Sequence, residues 1–197
     1  MIALTLASTS ASRSAILEGA GVAFETMAPG VDEGEIKDRL LSTGEGPLQI
    51  ALALAALKAM TASRGRRGLV IGADQTLEID GELLDKARSL DEARRRLLAL
   101  RGRAHLLHSA VALAEDGAVV WRAHETARLA VRDFSDEFLA AYLDQEGERI
   151  LDSVGGYRLE GLGAQLFAAI EGDYFSVLGL PLLPLLAQLR ERGAVAS

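Results

Sequence analysis

The chain has 197 residues, 49% of them hydrophobic, 25% charged and none of them cysteine, with a formal net charge of −7. This is length enough for one domain, or two small lobes sharing a cleft, and it excludes disulfide and thiolate chemistry. The acidic balance argues against a general binder of nucleic acid or membrane surfaces, which needs a basic face, but leaves room for a small anion held by local cations.

Residues 2–7 read as a short buried strand that stops in the hydroxyl cluster Ser8-Thr9-Ser10. A helix over 10–20 follows, with Ser12 and Arg13 in its first turn. The leading N–H groups of a helix lack partners and its dipole is positive there, so this turn suits an anion. Arg13 adds a planar fork of donors matched to phosphate. Ser8, Ser10 and Ser12 read equally as phosphate donors or as capping residues. No Gly-x-Ser-x-Gly elbow surrounds them, so covalent catalysis is not expected.

A second strand is expected over 22–27, then a loop over 29–34 holding Asp32 and Glu33. Residues 47–63 form an alanine-rich helix, and Lys58 is the one charge in its run from 48 to 60. A basic turn at 65–68 leads into a buried strand over 69–76. Asp74 falls at the C-terminal end of that strand, where ligands bind in open α/β sheets. A carboxylate there serves as general base, as metal ligand, or simply as a cap on local backbone. Asp32 and Glu33 gain weight only where their loop folds toward Asp74. An oxygen-rich, cysteine-free site suits Mg²⁺ or Mn²⁺ rather than zinc. The Asp80-Gly81 pair marks a hairpin, with Lys86 after it. Taken singly, Lys58 and Lys86 read as solvated charges; with Arg13 they can neutralise a triphosphate.

Ser89 with Glu92 is a capping-box signature for a helix running through Leu100 and closed at Gly102. Strands over 105–114 and 118–131 flank the turn Asp116-Gly117. A helix over 136–145, a glycine-rich segment over 155–163, a strand over 166–170 and an amphipathic helix over 181–192 complete the chain. Alternating strand and helix patterns give an α/β fold. His105, His108 and His124 fit no metal spacing and read as structural. No phosphate-loop or dinucleotide fingerprint is present. No apolar run is of membrane-spanning length, and Met1-Ile2-Ala3-Leu4 lacks a basic leader, so a cytoplasmic location is expected.

Five segments, in order, resemble the Maf family of nucleoside triphosphate pyrophosphatases. They are Leu6-Ala7-Ser8-Thr9-Ser10 with Arg13; Val31-Asp32-Glu33; Lys58 on its long helix; Ile71-Gly72-Ala73-Asp74-Gln75 with Asp80-Gly81-Glu82 and Lys86; and Gly156-Tyr157-Arg158-Leu159-Glu160-Gly161-Leu162-Gly163 with Ile170-Glu171-Gly172-Asp173-Tyr174 and Gly179-Leu180-Pro181-Leu182. The resemblance implies one domain over 1–197, an elongated Maf/ITPase-like mixed sheet flanked by helices, with two lobes around a central cleft. It implies metal-dependent hydrolysis of a nucleoside triphosphate between its α- and β-phosphates, a house-cleaning role, Mg²⁺ or Mn²⁺ as cofactor, and a homodimer.

Carried over by residue, the resemblance makes Asp74 the general base, with Lys58 and Lys86 completing the catalytic set. Ser8, Ser10, Ser12, Arg13, Gln75 and Glu160 become substrate-binding residues, and Glu33 with Asp74 the metal site. Gln75 and Glu160 match the branch that prefers 7-methyl-GTP. Ser12 matches neither that branch nor the one preferring thymidine or uridine triphosphates, which stands as the alternative. A non-catalytic nucleotide-binding regulator of cell division is a second alternative. Ala11 and Ser14 replace the proline and arginine of the family's opening motif, and Ala87 replaces the proline after its lysine.

Overall fold

The computed structural model describes residues 2–196. In chain order the elements are β1 (Leu4–Ala7), α1 (Ala11–Gly19), β2 (Glu25–Met27), α2 (Glu33–Ser42), α3 (Pro47–Ser63), β3 (Leu69–Ile79), β4 (Glu82–Leu84), α4 (Leu90–Leu100), β5 (Ala104–Glu115), β6 (Ala118–Val131), α5 (Asp136–Glu146), β7 (Phe167–Glu171), α6 (Tyr174–Val177) and α7 (Leu182–Glu191). Short 3-10 turns cover Gly147–Asp152 and Leu162–Leu166. Seven strands make one sheet in the order β2-β1-β3-β5-β6-β7, with β4 also paired to β3. Pairing of β1 with β2 and β3 is parallel, and all other pairs are antiparallel. This is the mixed α/β architecture expected.

The pairing of β3 leaves a gap. One of its edges is taken continuously by β5 from Val70 to Glu78. Its other edge pairs with β1 only as far as Gly72, and with β4 only from Leu77 onward. Between them, residues 73–76 of β3 have an open edge, reachable from both faces of the sheet. Successive side chains of a strand point to opposite faces. Asp74 and Gln75 therefore leave on opposite faces yet meet the same opening.

Hydrophobic clusters stand on either side of this gap. Leu6, Leu17, Ile71, Leu113, Leu185 and Leu189 join α1 and α7 to one end of the sheet. Leu77, Leu97, Leu107, Leu129, Phe134, Tyr142 and Tyr157 join α4, α5 and the glycine-rich segment to the other. The long strands β3 and β5 contribute to both clusters.

The third contact sets the depth of the site. Helix α3 starts with Pro at its first turn after Gly46, and alanine, the best helix former, fills its length. Ala51, Ala55 and Ala59 pack on Ala110, Ala112 and Ala114 of β5. Over β3 the fit is tighter still. A Cβ on Gly72 would strike the carbonyl oxygen of Ala55 and lie 2.9 Å from the Cβ of Ala59. Thr76 fixes the helix lengthwise by donating to the carbonyl of Pro47 at 2.9 Å.

Several expectations are corrected. The strand expected over 69–76 runs to Ile79, because antiparallel pairing with β5 and β4 continues past Asp74. Asp74 thus lies within its strand, and it is β1 that ends beside it. The loop expected over 29–34 ends at Asp32, the N-cap of α2, which accepts from the Glu35 N–H at 3.0 Å, so Glu33 and Gly34 belong to the helix. The strand expected over 22–27 is confined to Glu25–Met27, and that over 166–170 is Phe167–Glu171. Ser89 does cap α4, but Glu92 reaches back to the N–H of Arg88, one residue before the cap. Among the described residues, no helix is long and apolar enough to cross a membrane.

Gly72→Ala forces backbone against backbone, which no side-chain rotation relieves. The variant should lose roughly 2–3 kcal/mol of stability, a fall in Tm of about 5–10 °C by calorimetry. A Tm within about one degree of wild type would show that α3 shifts freely.

Candidate active site

The gap opens into a cleft of about 440 Å³ that gathers residues from nearly every segment singled out in the sequence. Ser8, Ser10, Ser12, Arg13, Glu33, Lys58, Asp74, Gln75, Lys86 and Glu160 all line it. The volume is within the usual range for a small-molecule site.

At its floor lies Lys58. Its position on α3, pressed onto the sheet through Gly72, leaves the residue 4% exposed. The ammonium donates to Oδ1 of Asp74 at 2.6 Å and lies 2.8 Å from Oε1 of Glu33. The reading of Lys58 as a solvated surface charge is thus overturned: small neighbours let the helix sit close enough to aim the side chain across the sheet. Asp74 is itself 5% exposed, and its Oδ2 is buried with no hydrogen-bond partner. Glu33, at the first position of α2, is more open. Burial alone would push its carboxyl up, but Lys58, then Lys37 and Arg13, hold it below the usual carboxylate value. Asp32, in contrast, faces solvent as a cap and does not line the cleft.

The hydroxyl turn holds Arg13 in place. Ser8 Oγ accepts from the Ser10 N–H at 3.2 Å and from Nη1 of Arg13 at 3.3 Å. Nε of Arg13 donates to the carbonyl of Gly179 at 2.9 Å. Gly179 has φ +100°, a conformation that favours glycine, so the chain can turn that carbonyl toward the guanidinium. Burial lowers the pKa of Arg13, opposed by the charges of Asp74 and Glu33. Ser10 is both a cleft residue and the N-cap of α1, accepting from the Arg13 N–H. Ser12 is half-buried on the same turn.

Lys86 enters from the segment after β4. Burial and the neighbouring charge of Arg13 lower its pKa, with Glu33, Asp152 and Asp74 pulling the other way. Gln75 leaves β3 on the face opposite Asp74. Its amide nitrogen donates to Ser109 Oγ at 2.9 Å and to the carbonyls of Ser176 and Val177 at 3.0 Å each. It therefore ties α6 to the sheet and presents only its carbonyl oxygen. Glu160 also lines the cleft, with Oε1 accepting from Nε of Arg158 at 3.2 Å. Leu107, Tyr157, Leu159 and Val177 add apolar surface to the lining.

The sequence reading missed four charged wall residues: Lys37, Arg149, Asp152 and Arg158. Lys37 was findable. Asp32 followed by Glu35 and then Ile36 and Leu40 is a capped helical pattern, and it puts Lys37 one turn beyond Glu33. Arg149 and Asp152 lie on an irregular 3-10 turn with no such signature. The cleft thus holds six cations, Arg13, Lys37, Lys58, Lys86, Arg149 and Arg158, against four carboxylates, Glu33, Asp74, Asp152 and Glu160. In a chain of net charge −7 this is a local positive field suited to a polyanion.

Two of the three histidines take structural places, while His124 is exposed on β6. His105 is buried against the Tyr157 hydroxyl at 2.6 Å, and burial pulls it down to about 4. His108 bridges Thr126 and Glu78, each at 2.9 Å.

Comparison with known proteins bears on this geometry. The family described as Maf-like protein matches residues 3–192. The chain is 57% identical to the nucleoside triphosphate pyrophosphatase of Caulobacter vibrioides, over 98% of this chain and 96% of that one. It is 48% identical to the 7-methyl-GTP pyrophosphatase of Rhizobium meliloti, over 98% of this chain and 97% of that one. It is 49% identical to the nucleoside triphosphate pyrophosphatase of Paramagnetospirillum magneticum, over 95% of this chain and 97% of that one.

Removing the ammonium from between two carboxylates should be costly. Lys58→Met leaves Asp74 buried without its partner and should destabilise by about 3 kcal/mol in urea unfolding. The double variant with Asp74→Asn should lose at least about 1 kcal/mol less than the sum of the single changes. Additive losses would show that the pair is not coupled.

Glu33 yields a pH prediction. A carboxyl held below its unfolded value of 4.5 stabilises the fold above that pH, and the contribution fades as pH falls through the folded value. In metal-free buffer, the stability gap between wild type and Glu33→Gln should be constant at about pH 6–8 and shrink below pH 4.5. A gap that widens on acidification would reverse the assignment.

Proposed function

The chain belongs to the Maf-like family, and from that premise we propose that it hydrolyses nucleoside triphosphates between the α- and β-phosphates, releasing pyrophosphate and a nucleoside monophosphate. The observation that carries this reading is the buried Lys58 ammonium held between Asp74 and Glu33 in a cleft that also presents Ser8, Arg13 and Lys86.

Hydrolysis at the α-phosphorus needs a group to take the proton of the attacking water, and positive charge to meet what builds on the departing pyrophosphate. Asp74 is the proton acceptor. Lys58 engages Oδ1 and fixes the carboxylate, leaving Oδ2 as the basic atom. Arg13, anchored by Ser8 and Gly179, Lys58 at the floor and Lys86 stabilise phosphate charge. The hydroxyls of Ser8, Ser10 and Ser12, with the leading N–H groups of α1, orient the phosphate chain.

A divalent cation fits this donor set. No group of three or more His, Cys, Asp or Glu that could hold a metal occurs among the described residues. Two carboxylates are, however, the usual protein share for Mg²⁺, whose remaining ligands are waters and substrate phosphates. Asp74 and Glu33 are the residues that would hold Mg²⁺ or Mn²⁺. Such an ion supplies charge neutralisation on the polyphosphate.

The base end of the substrate lies toward Glu160 and the apolar wall. A 7-methylated guanine carries positive charge on its ring and offers N–H donors on its edge. A carboxylate beside apolar surface suits both features, and favours 7-methyl-GTP over a neutral pyrimidine. The role of Gln75 is then to hold α6 in place and to offer its oxygen. The protein acts on modified or non-standard nucleotides in a house-cleaning role, in the cytoplasm and as a homodimer.

The test is Mg²⁺-dependent pyrophosphate release across the common triphosphates, 7-methyl-GTP and other modified nucleotides. Asp74→Asn should cost on the order of 10²–10⁴ in kcat with little change in nucleotide affinity. Glu160→Gln should reduce the preference for 7-methyl-GTP by roughly tenfold, the worth of one charge-assisted contact. Release concentrated on thymidine or uridine triphosphate would keep the chemistry and remove the specificity reading. Nucleotide binding with no release would leave a nucleotide-binding regulator of cell division as the better account.

A further inference from the structure

Lys37 has no role in the chemistry above, yet its position is built. It stands one helical turn after Glu33 on α2, on the same side of the helix, and lines the cleft. Its side chain is only 16% exposed, and its Nζ lies 2.8 Å from Oδ1 of Asp85. The same oxygen accepts the backbone N–H of Lys86 at 3.0 Å. One carboxylate oxygen on the rim therefore holds Lys37 from one wall and positions Lys86 on the other.

The two partners differ in setting. Lys37 faces into the cleft, whereas Asp85 is more than half exposed and is not one of the cleft's lining residues. An exposed carboxylate is a weak partner, because solvent and salt screen it. A polyphosphate entering between Lys37 and Lys86 brings several negative charges to the same donors. Nothing else in the described structure holds Lys37 in a fixed ion pair.

We propose that Lys37 is a binding residue for the pyrophosphate half of the substrate, held ready by Asp85 and exchanged from that carboxylate to a phosphate oxygen when the substrate enters. The proposal deepens the pyrophosphatase reading and rests on it. The exchange is one of hydrogen-bond partners only: the Lys37 contact with Asp85 Oδ1 breaks as the contact with phosphate forms, and Lys86 keeps its backbone bond to Asp85.

The two members of the pair should act with opposite sign. Calorimetric titration with inorganic pyrophosphate at fixed Mg²⁺ should show binding weakened on the order of tenfold in Lys37→Met, the loss of one charge-assisted contact. Asp85→Asn removes the competitor and should tighten binding severalfold. In the double variant the gain should vanish, because there is no ammonium left to release. Lys37→Arg should recover most of the affinity, and a melting curve for each variant confirms folding. A clasp that only braces the cleft predicts instead that Asp85→Asn weakens binding as Lys37→Met does, and that result overturns the proposal. So does a Lys37→Met protein that binds pyrophosphate as wild type does, or a wild type that does not bind it. Triphosphate hydrolysis, measured alongside, separates the two readings. No hydrolysis with pyrophosphate binding still set by Lys37 sinks the enzyme reading alone; normal hydrolysis with binding indifferent to Lys37 sinks this one alone.

Discussion

The ammonium of Lys58 is nearly out of water, and removing a charge from water costs several kcal/mol unless partners replace the solvent. Two carboxylates do so, at 2.6 and 2.8 Å. Each side of this arrangement needs the other. Asp74, buried on the sheet, would carry an uncompensated charge without Lys58, and Lys58 would have no reason to stay under its helix without Asp74. Glu33 is the softer third member, since it is exposed enough to swing outward. The contact thus pins α3, β3 and the start of α2 to one point. The hydroxyl turn, the Gly179 carbonyl and the Lys86 segment are placed around that point.

What allows the contact is the smallness of its surroundings. Any side chain at residue 72 would lift α3 from the sheet, and larger residues at 55 or 59 would do the same. A long lysine can then reach across the sheet from a helix that nearly touches the strand backbone. Close packing of this kind yields little to strain. The seam is apolar and rigid while the site beside it is charged, so the scaffold can hold the donors in place before any ligand arrives. Preorganised charge of that sort does not have to be reordered during reaction.

Much of this was legible in the sequence, for identifiable reasons. Strong apolar runs such as 69–73 and 110–114, the alanine-rich helix and the Asp80-Gly81 turn are local signals, and each gave its element. Arg13 and its serines could be read because a helix start makes an anion site by itself. Lys58 could not be read from its own neighbourhood, because a single lysine in an alanine helix looks the same whether it faces water or a carboxylate sixteen residues ahead. Only the resemblance across five segments pointed to the cleft. Asp32 and Glu33 looked alike as neighbours, yet one caps α2 and the other faces Lys58, a difference set by where the helix begins. Lys37 was lost with the unread helix, and Arg149 and Asp152 lie on backbone with no periodic signal.

The gap in the sheet explains why two adjacent residues can serve different ends. On a fully paired strand, Asp74 and Gln75 would be separated by the sheet itself. Here β1 stops opposite Gly72 and β4 ends opposite Leu77, so both faces of the intervening residues open on one cleft. Asp74 points to the α3 side, toward Lys58. Gln75 points to the α6 side and spends its amide protons holding Ser176 and Val177. The proposed proton acceptor and the brace on α6 therefore sit on opposite faces of one strand. A change in the base-side wall, at Glu160 or along the glycine-rich segment, can then alter which nucleotide fits without moving the Lys58–Asp74 pair. The reverse does not hold. Moving α3 would disturb Asp74 first and, through β3, the brace on α6 as well, so selectivity is the more freely adjustable of the two properties and hydrolysis the more constrained.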